Sequence, residues 1–189
     1  MGSSTGQFAQ QWRVVIAYLL LAASVYVTKG YVYQPLLLAG AMFTLPLCDS
    51  KWQLPATKIN GKQIFIWMMG ASASLAIIIT EPKLLGFFFL MLFFVALPEE
   101  WFFRSYLMVR IGNGIAANIV ASICFTVVHA IGNGLVPSIL IFFPSLVLGW
   151  IYQRQRNVIT VAMLHALMNL IYMAYLHRYF ESFYQLFTG

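Results

Sequence analysis

Apolar residues fall in long runs along this chain rather than in strict alternation, and short breaks bearing charge, glycine or proline separate them. Seven such runs, at about residues 12–28, 32–48, 63–80, 84–110, 115–131, 135–152 and 158–177, approach or exceed what a helix needs to cross a bilayer core. They predict an all-α fold, a polytopic transmembrane helix bundle. The second run is the weakest, because Pro35 and Pro46 crowd its ends. The sixth carries Pro137 and Pro144, which predict a kink or break that neighbouring helices must re-satisfy. From Arg178 to Phe187, the aromatic residues Tyr179, Phe180, Phe183, Tyr184 and Phe187 stand among polar ones, the pattern of a C-terminal interfacial helix. No repeat or linker divides residues 1–189, which read as a single domain. The first run lacks a small-residue cleavage site before Lys29 and reads as a retained helix; Gly6 leaves the N-myristoylation pattern unmet.

Composition sharpens this picture. Charged residues make up 8% of the chain, against roughly 25% in soluble domains, and mean hydropathy is +0.82. The formal net charge of +6 does not point to nucleic acid, because Lys and Arg are scattered singly between apolar runs and form no basic stripe. They serve instead as topology signals. An N-terminus-inside arrangement puts Arg13, Lys51, Lys58, Lys62, Arg110, Arg154 and Arg156 in the cytoplasm and Lys29, Lys83 and Arg178 outside, the favoured bias for a plasma-membrane protein, here a bacterial inner-membrane one. Cys48 and Cys124 have no second thiol or histidine at ligand spacing and read as two buried free thiols.

Candidate chemistry concentrates in three runs. Glu99 and Glu100, two of only five acidic residues, follow the apolar stretch from Leu84 to Leu97. One intramembrane carboxylate costs roughly 2.5 to 3.5 kcal/mol on insertion scales, so a pair of them implies a polar site that uses them. Glu100 and Arg104 stand at i and i+4 and can pair on one helix face, while Glu99 is turned about 100° away and left available. The alternative is a buried ion network that only fixes packing. His129 follows Phe125 at i+4, and His165 precedes Asn169 at i+4. A rise of about 1.5 Å per residue places all these groups about 10 to 21 Å from the same end of their helices, close enough to share one pocket. His177, beside Arg178 at a helix end, reads as interfacial.

Glu99-Glu100-Trp-Phe-Phe-Arg104, Phe125-Thr-Val-Val-His129 and His165-Ala-Leu-Met-Asn169 resemble, in order and spacing, the E-E-x-x-x-R, F-x-x-x-H and H-x-x-x-N motifs of the CPBP family, the CAAX protease and bacteriocin-processing intramembrane proteases. The resembling core spans about residues 84–176 and includes the stretch Gly149-Trp-Ile-Tyr-Gln-Arg. In a compact chain, Trp101 with Phe102 and Phe103 is also similar to the myxosortase-like members. The resemblance implies an intramembrane endopeptidase acting near the C-terminus of an exported or membrane-associated protein, whose tail is a membrane segment or carries a lipid. It implies that Glu99, helped by His129, activates water, that Glu100 and Arg104 complete and orient the group, and that His165 and Asn169 stabilise the oxyanion. No cofactor is expected on the glutamic-type reading, although Glu99, His129 and His165 are also acceptable zinc ligands; an H-E-x-x-H helix is lacking. Phe87, Phe88, Phe89, Phe93 and Phe94 either border a lateral entrance or face lipid and core. A non-enzymatic immunity or scaffold protein and a proton-relaying transporter are the rival readings.

Overall fold

A computed structural model describes residues 4–53 and 59–177, with side chains from Trp12 onward. Lys58 and the interfacial helix expected over residues 178–187 lie outside the described residues. Among the described residues there is no strand. Seven helices follow one another: α1 (Ser4–Thr28), α2 (Gln34–Leu47), α3 (Gly61–Thr80), α4 (Leu84–Ile111), α5 (Ile115–Asn133), α6 (Leu135–Gln155) and α7 (Val158–Leu176). Helices α3 to α7 are long and apolar enough to cross a membrane; the apolar part of α1, Trp12–Thr28, and α2 are shorter.

Local chemistry sets the boundaries. Asn60 accepts from the Gln63 amide while the Gln63 side chain accepts from the Asn60 amide, a reciprocal cap that starts α3. Asn157 caps α7 through the Thr160 amide. Between α5 and α6 there is a single residue, Gly134, at φ +92°, a conformation that side-chain-bearing residues rarely adopt. The break anticipated in the sixth run does not occur: α6 continues through Pro144. Pro137 lies in the first turn, where the missing amide hydrogen has no helical partner to lose. Likewise Pro35 opens α2 and Pro46 sits in its last turn, so the doubtful second run folds as a helix.

Helix α4 stands at the centre. From Pro98 to Met108 every residue except the half-buried Trp101 is buried, the signature of a helix surrounded on all sides. Its ladder widens into π-helix at Met91–Ala96 and again at Trp101–Met108, on either side of Leu97–Glu100. Pro98 supplies no amide to close an α-turn, which frees the ladder to shift there. Phe102, Phe103 and Tyr106 of α4 join Phe125 of α5, Leu148 and Tyr152 of α6 and Val161 of α7 in the main core. Helices α5 and α6 pack extensively on each other. A Cβ at Gly149 would overlap the Asn118 carboxamide, which donates to the Leu146 carbonyl at 2.9 Å, so the glycine permits this approach.

The ends of the bundle are chemically distinct. Asp49, just after α2, accepts from Arg110 Nε at 3.0 Å and from Arg13 at 3.3 Å, tying α1, α2 and α4 together. Arg156 binds Asn113 at the same end. At the opposite end Lys29 donates to the Ile131 carbonyl and Lys83 pairs with Glu81. This segregation agrees with the alternation of charge expected for membrane spans. Cys48 departs from expectation: it is exposed and Cys124 only half-buried, because the chain leaving α2 turns Asp49 inward to its arginines and Cys48 outward. Both thiols are free.

Candidate functional site

Three helices deliver the polar groups to one place. On α4, Glu99 and Glu100 lie between the two π-helical stretches and are both buried. Arg104, with no exposed surface, places Nε 3.1 Å from Glu100 Oε2, so the i, i+4 pair predicted from spacing forms even though π-helix intervenes. The contact is an ion pair without hydrogen-bond geometry.

The imidazoles approach Glu99 from α5 and α7. His129 Nε2 is 3.7 Å from Glu99 Oε1, and His165 Nε2 is 3.7 Å from Glu99 Oε2. These separations are too long for direct hydrogen bonds and suit groups that share a bound molecule between them. The other ring nitrogens are occupied. His129 Nδ1 lies 3.0 Å from the Phe125 carbonyl and His165 Nδ1 lies 2.9 Å from Glu100 Oε1. A carbonyl and a carboxylate only accept, so each Nδ1 carries hydrogen and each Nε2 is the nitrogen presented to Glu99. Glu100 therefore orients His165 while Arg104 holds Glu100. Phe125 closes the site from the side, its ring 4.3 Å from that of His129, 6.1 Å from that of His165 and 5.5 Å from the Arg104 guanidinium carbon.

Asn169 stands on the same helix as His165, one turn on. Its Nδ2 faces Met91 Sδ at 3.9 Å, a weak acceptor on the first π-helical stretch of α4. The structure thus brings together Glu99, Glu100, Arg104, His129 and His165, with Asn169 turned to a thioether beside them. His177 stacks on Tyr172 at the end of α7 and takes no part. Of the five phenylalanines, Phe89, Phe93 and Phe94 face outward and Phe87 and Phe88 pack against Leu170 and Ile77. One polar partner escaped the sequence reading: Ser145 of α6, whose Oγ and carbonyl accept from Arg104 Nη2 at 2.8 and 3.1 Å. A serine following a proline in an apolar run was its only signal.

Carboxylate and neutral imidazole nitrogens are donors that zinc takes. Among the described residues, however, no group of three or more His, Cys, Asp or Glu side chains is placed to hold a metal ion. The arrangement can deprotonate a water lying against Glu99 and can present N–H groups to a developing negative charge.

Comparison with known proteins agrees with this geometry. Residues 80–171 match the family model for type II CAAX prenyl endopeptidases, described as Rce1-like, a stretch that contains every residue of the cluster. A UPF0177 protein, YxdF of Lactococcus lactis subsp. lactis, is 34% identical over 77 residues, which cover 40% of this chain and 42% of that relative. Neither match singles out the myxosortase-like members. No solved structure matches. The apolar helices and the family together make the chain an integral membrane protein. Over residues 80–171, just under half of the chain, it is similar to the Rce1-like type II CAAX prenyl endopeptidases.

Proposed function

We propose that this chain is an intramembrane endopeptidase of the glutamic type, a single domain whose working core is α4 to α7. The observation that carries the proposal is the placement of one buried carboxylate, Glu99, 3.7 Å from the Nε2 atoms of two histidines on two other helices. Glu99 takes a proton from water, helped by His129 Nε2, and the resulting hydroxide attacks the scissile carbonyl carbon. Two carboxylates and one guanidinium leave one surplus negative charge in a dry interior, and one proton on His165 balances it. So protonated, His165 keeps its Nδ1–H on Glu100 and offers Nε2–H to the oxyanion. Asn169 supplies a second donor once its Nδ2 leaves Met91, a partner weak enough to exchange for a charged oxygen. The proton on Glu99 then passes to the leaving amine as the C–N bond breaks.

The substrate in this proposal is a protein whose C-terminal tail lies in the membrane, through an apolar helix or a lipid. The end bearing Arg13, Arg110 and Arg156 faces the cytoplasm, which puts the N-terminus there as well, in a bacterial inner membrane. Two probes test the reading with purified protein in detergent. One is a farnesylated fluorogenic peptide ending in a CAAX tetrapeptide, and the other an unlipidated peptide with an apolar helix followed by basic residues. Wild type is expected to cleave at least one and His165→Ala neither; wild type cleaving neither, or both proteins cleaving equally, contradicts the proposal. Activity that a chelator removes and zinc restores would contradict the metal-free mechanism while leaving proteolysis intact.

A further inference from the structure

We infer that Ser145 of α6 is a positioning residue for the site, acting through Arg104 and Glu100 on His165; this rests on the proteolytic reading above. Arg104 has no exposed surface, and a guanidinium in such a place must be held by the protein alone. Its described polar partners are two. Nε meets Glu100 Oε2 at 3.1 Å, and Nη2 donates to Ser145 Oγ at 2.8 Å and to the Ser145 carbonyl at 3.1 Å. Nη1 has no hydrogen-bond partner. Ser145 therefore anchors the end of the planar fork that Glu100 does not.

A continuous chain of contacts results. Ser145 Oγ holds Arg104, Arg104 meets Glu100 Oε2, Glu100 Oε1 accepts from His165 Nδ1 at 2.9 Å, and His165 Nε2 faces Glu99. Because the guanidinium is rigid and planar, losing the Oγ bond leaves Nη2 on the Ser145 carbonyl alone and lets the fork tilt about that contact, and Glu100 follows its counter-ion. The imidazole that Glu100 aims then loses its orientation, and orientation is what catalysis at this site needs. Among the described residues, Ser145 is the side chain of α6 that hydrogen-bonds a member of the polar cluster, and through it a helix outside the three motifs bears on the chemistry. Its position is itself fixed, since α6 packs closely on α5 where Asn118 meets Gly149, one turn beyond Ser145.

The test is the cleavage kinetics of wild type and variants on whichever of the two peptide probes wild type turns over. Ser145→Ala should lower kcat about tenfold with KM unchanged, the size set by losing one hydrogen bond to a charged donor. Ser145→Thr, which keeps the hydroxyl, should recover most of that loss. Ser145→Cys, close in shape but a poor acceptor, should behave like Ser145→Ala, and it keeps the test open if the alanine variant does not fold. Ser138→Ala is the control: Ser138 is buried two turns earlier on α6 and, among the described residues, bonds to the Gly134 carbonyl and not to the polar cluster, so kcat should not change. Wild-type kcat in Ser145→Ala or Ser145→Cys beside an inactive Glu99→Gln overturns the inference alone, as does a threonine variant no better than alanine. Full activity in Glu99→Gln overturns the Glu99-based mechanism proposed above and this inference with it.

Discussion

Arg104 is a charge with no exposed surface in an apolar bundle, and what surrounds it explains how it is tolerated. Glu100 supplies the opposite charge, Ser145 two acceptors, and the Phe125 ring a face 5.5 Å away. Taking the arginine away strands Glu100 as an uncompensated buried carboxylate, so Arg104→Ala should cost roughly 3 to 5 kcal/mol in unfolding experiments and lower the thermal midpoint. Arg104→Lys should recover only part of it, since an ammonium cannot reach Glu100 and Ser145 with one rigid fork. Glu99 is held differently. Its charged neighbour is the protonated His165, 3.7 Å away and itself bonded to Glu100, so Glu99→Gln should lower the thermal midpoint far less than Arg104→Ala. A fall as large as that of Arg104→Ala would mean that Glu99 is a structural member of the ion network. At this scale the pairing of Glu100 with Arg104 was legible from i, i+4 spacing alone. Ser145 was not, because its contact spans 41 positions and depends on how α6 packs.

Helices α5 and α6 carry the site's outer wall, and their approach depends on one missing side chain. Gly149→Ala should push a methyl into the Asn118 carboxamide, costing about 1 to 3 kcal/mol in thermal stability. Adding Asn118→Ala should return part of that loss, and two independent, additive losses would contradict the packing account. The loop after α2 is a second junction between elements. Burial works to raise the Asp49 carboxyl, but Arg110, the Lys51 amide and Arg13 outweigh it and hold it below the usual carboxylate range. A group with a lowered folded pKa contributes stability above its unfolded pKa and loses it as pH falls through the folded one. Asp49→Asn should therefore cost roughly 3 kcal/mol at neutral pH, and its gap to wild type should close as pH drops below about 4. A gap that stays constant with pH would show that the carboxylate charge is not what joins α1, α2 and α4. Apolar runs fixed the number and order of the helices, and proline alone misled: Pro144 reads as a break but sits in a continuous helix. The π-helical turns around Glu99 had no signal beyond Pro98.

On the scale of the whole molecule, the bundle holds a small polar centre in an oily interior, with Arg13, Arg110 and Arg156 gathered at one end and the site between α4, α5 and α7. Overlapping depths along three predicted spans already pointed to that convergence. Depth says nothing of rotation, however, and Asn169 illustrates the limit: it shares the height and helix of His165 but turns its amide to Met91. The central claim is that Glu99 is the base for hydrolysis. Its most direct test is the single-turnover cleavage rate of purified Glu99→Gln against wild type, on the peptide probe that wild type cleaves, with folding matched by thermal midpoint. Removing a general base should slow cleavage by about 10²- to 10⁴-fold. A glutamine variant that cleaves at the wild-type rate would contradict the account.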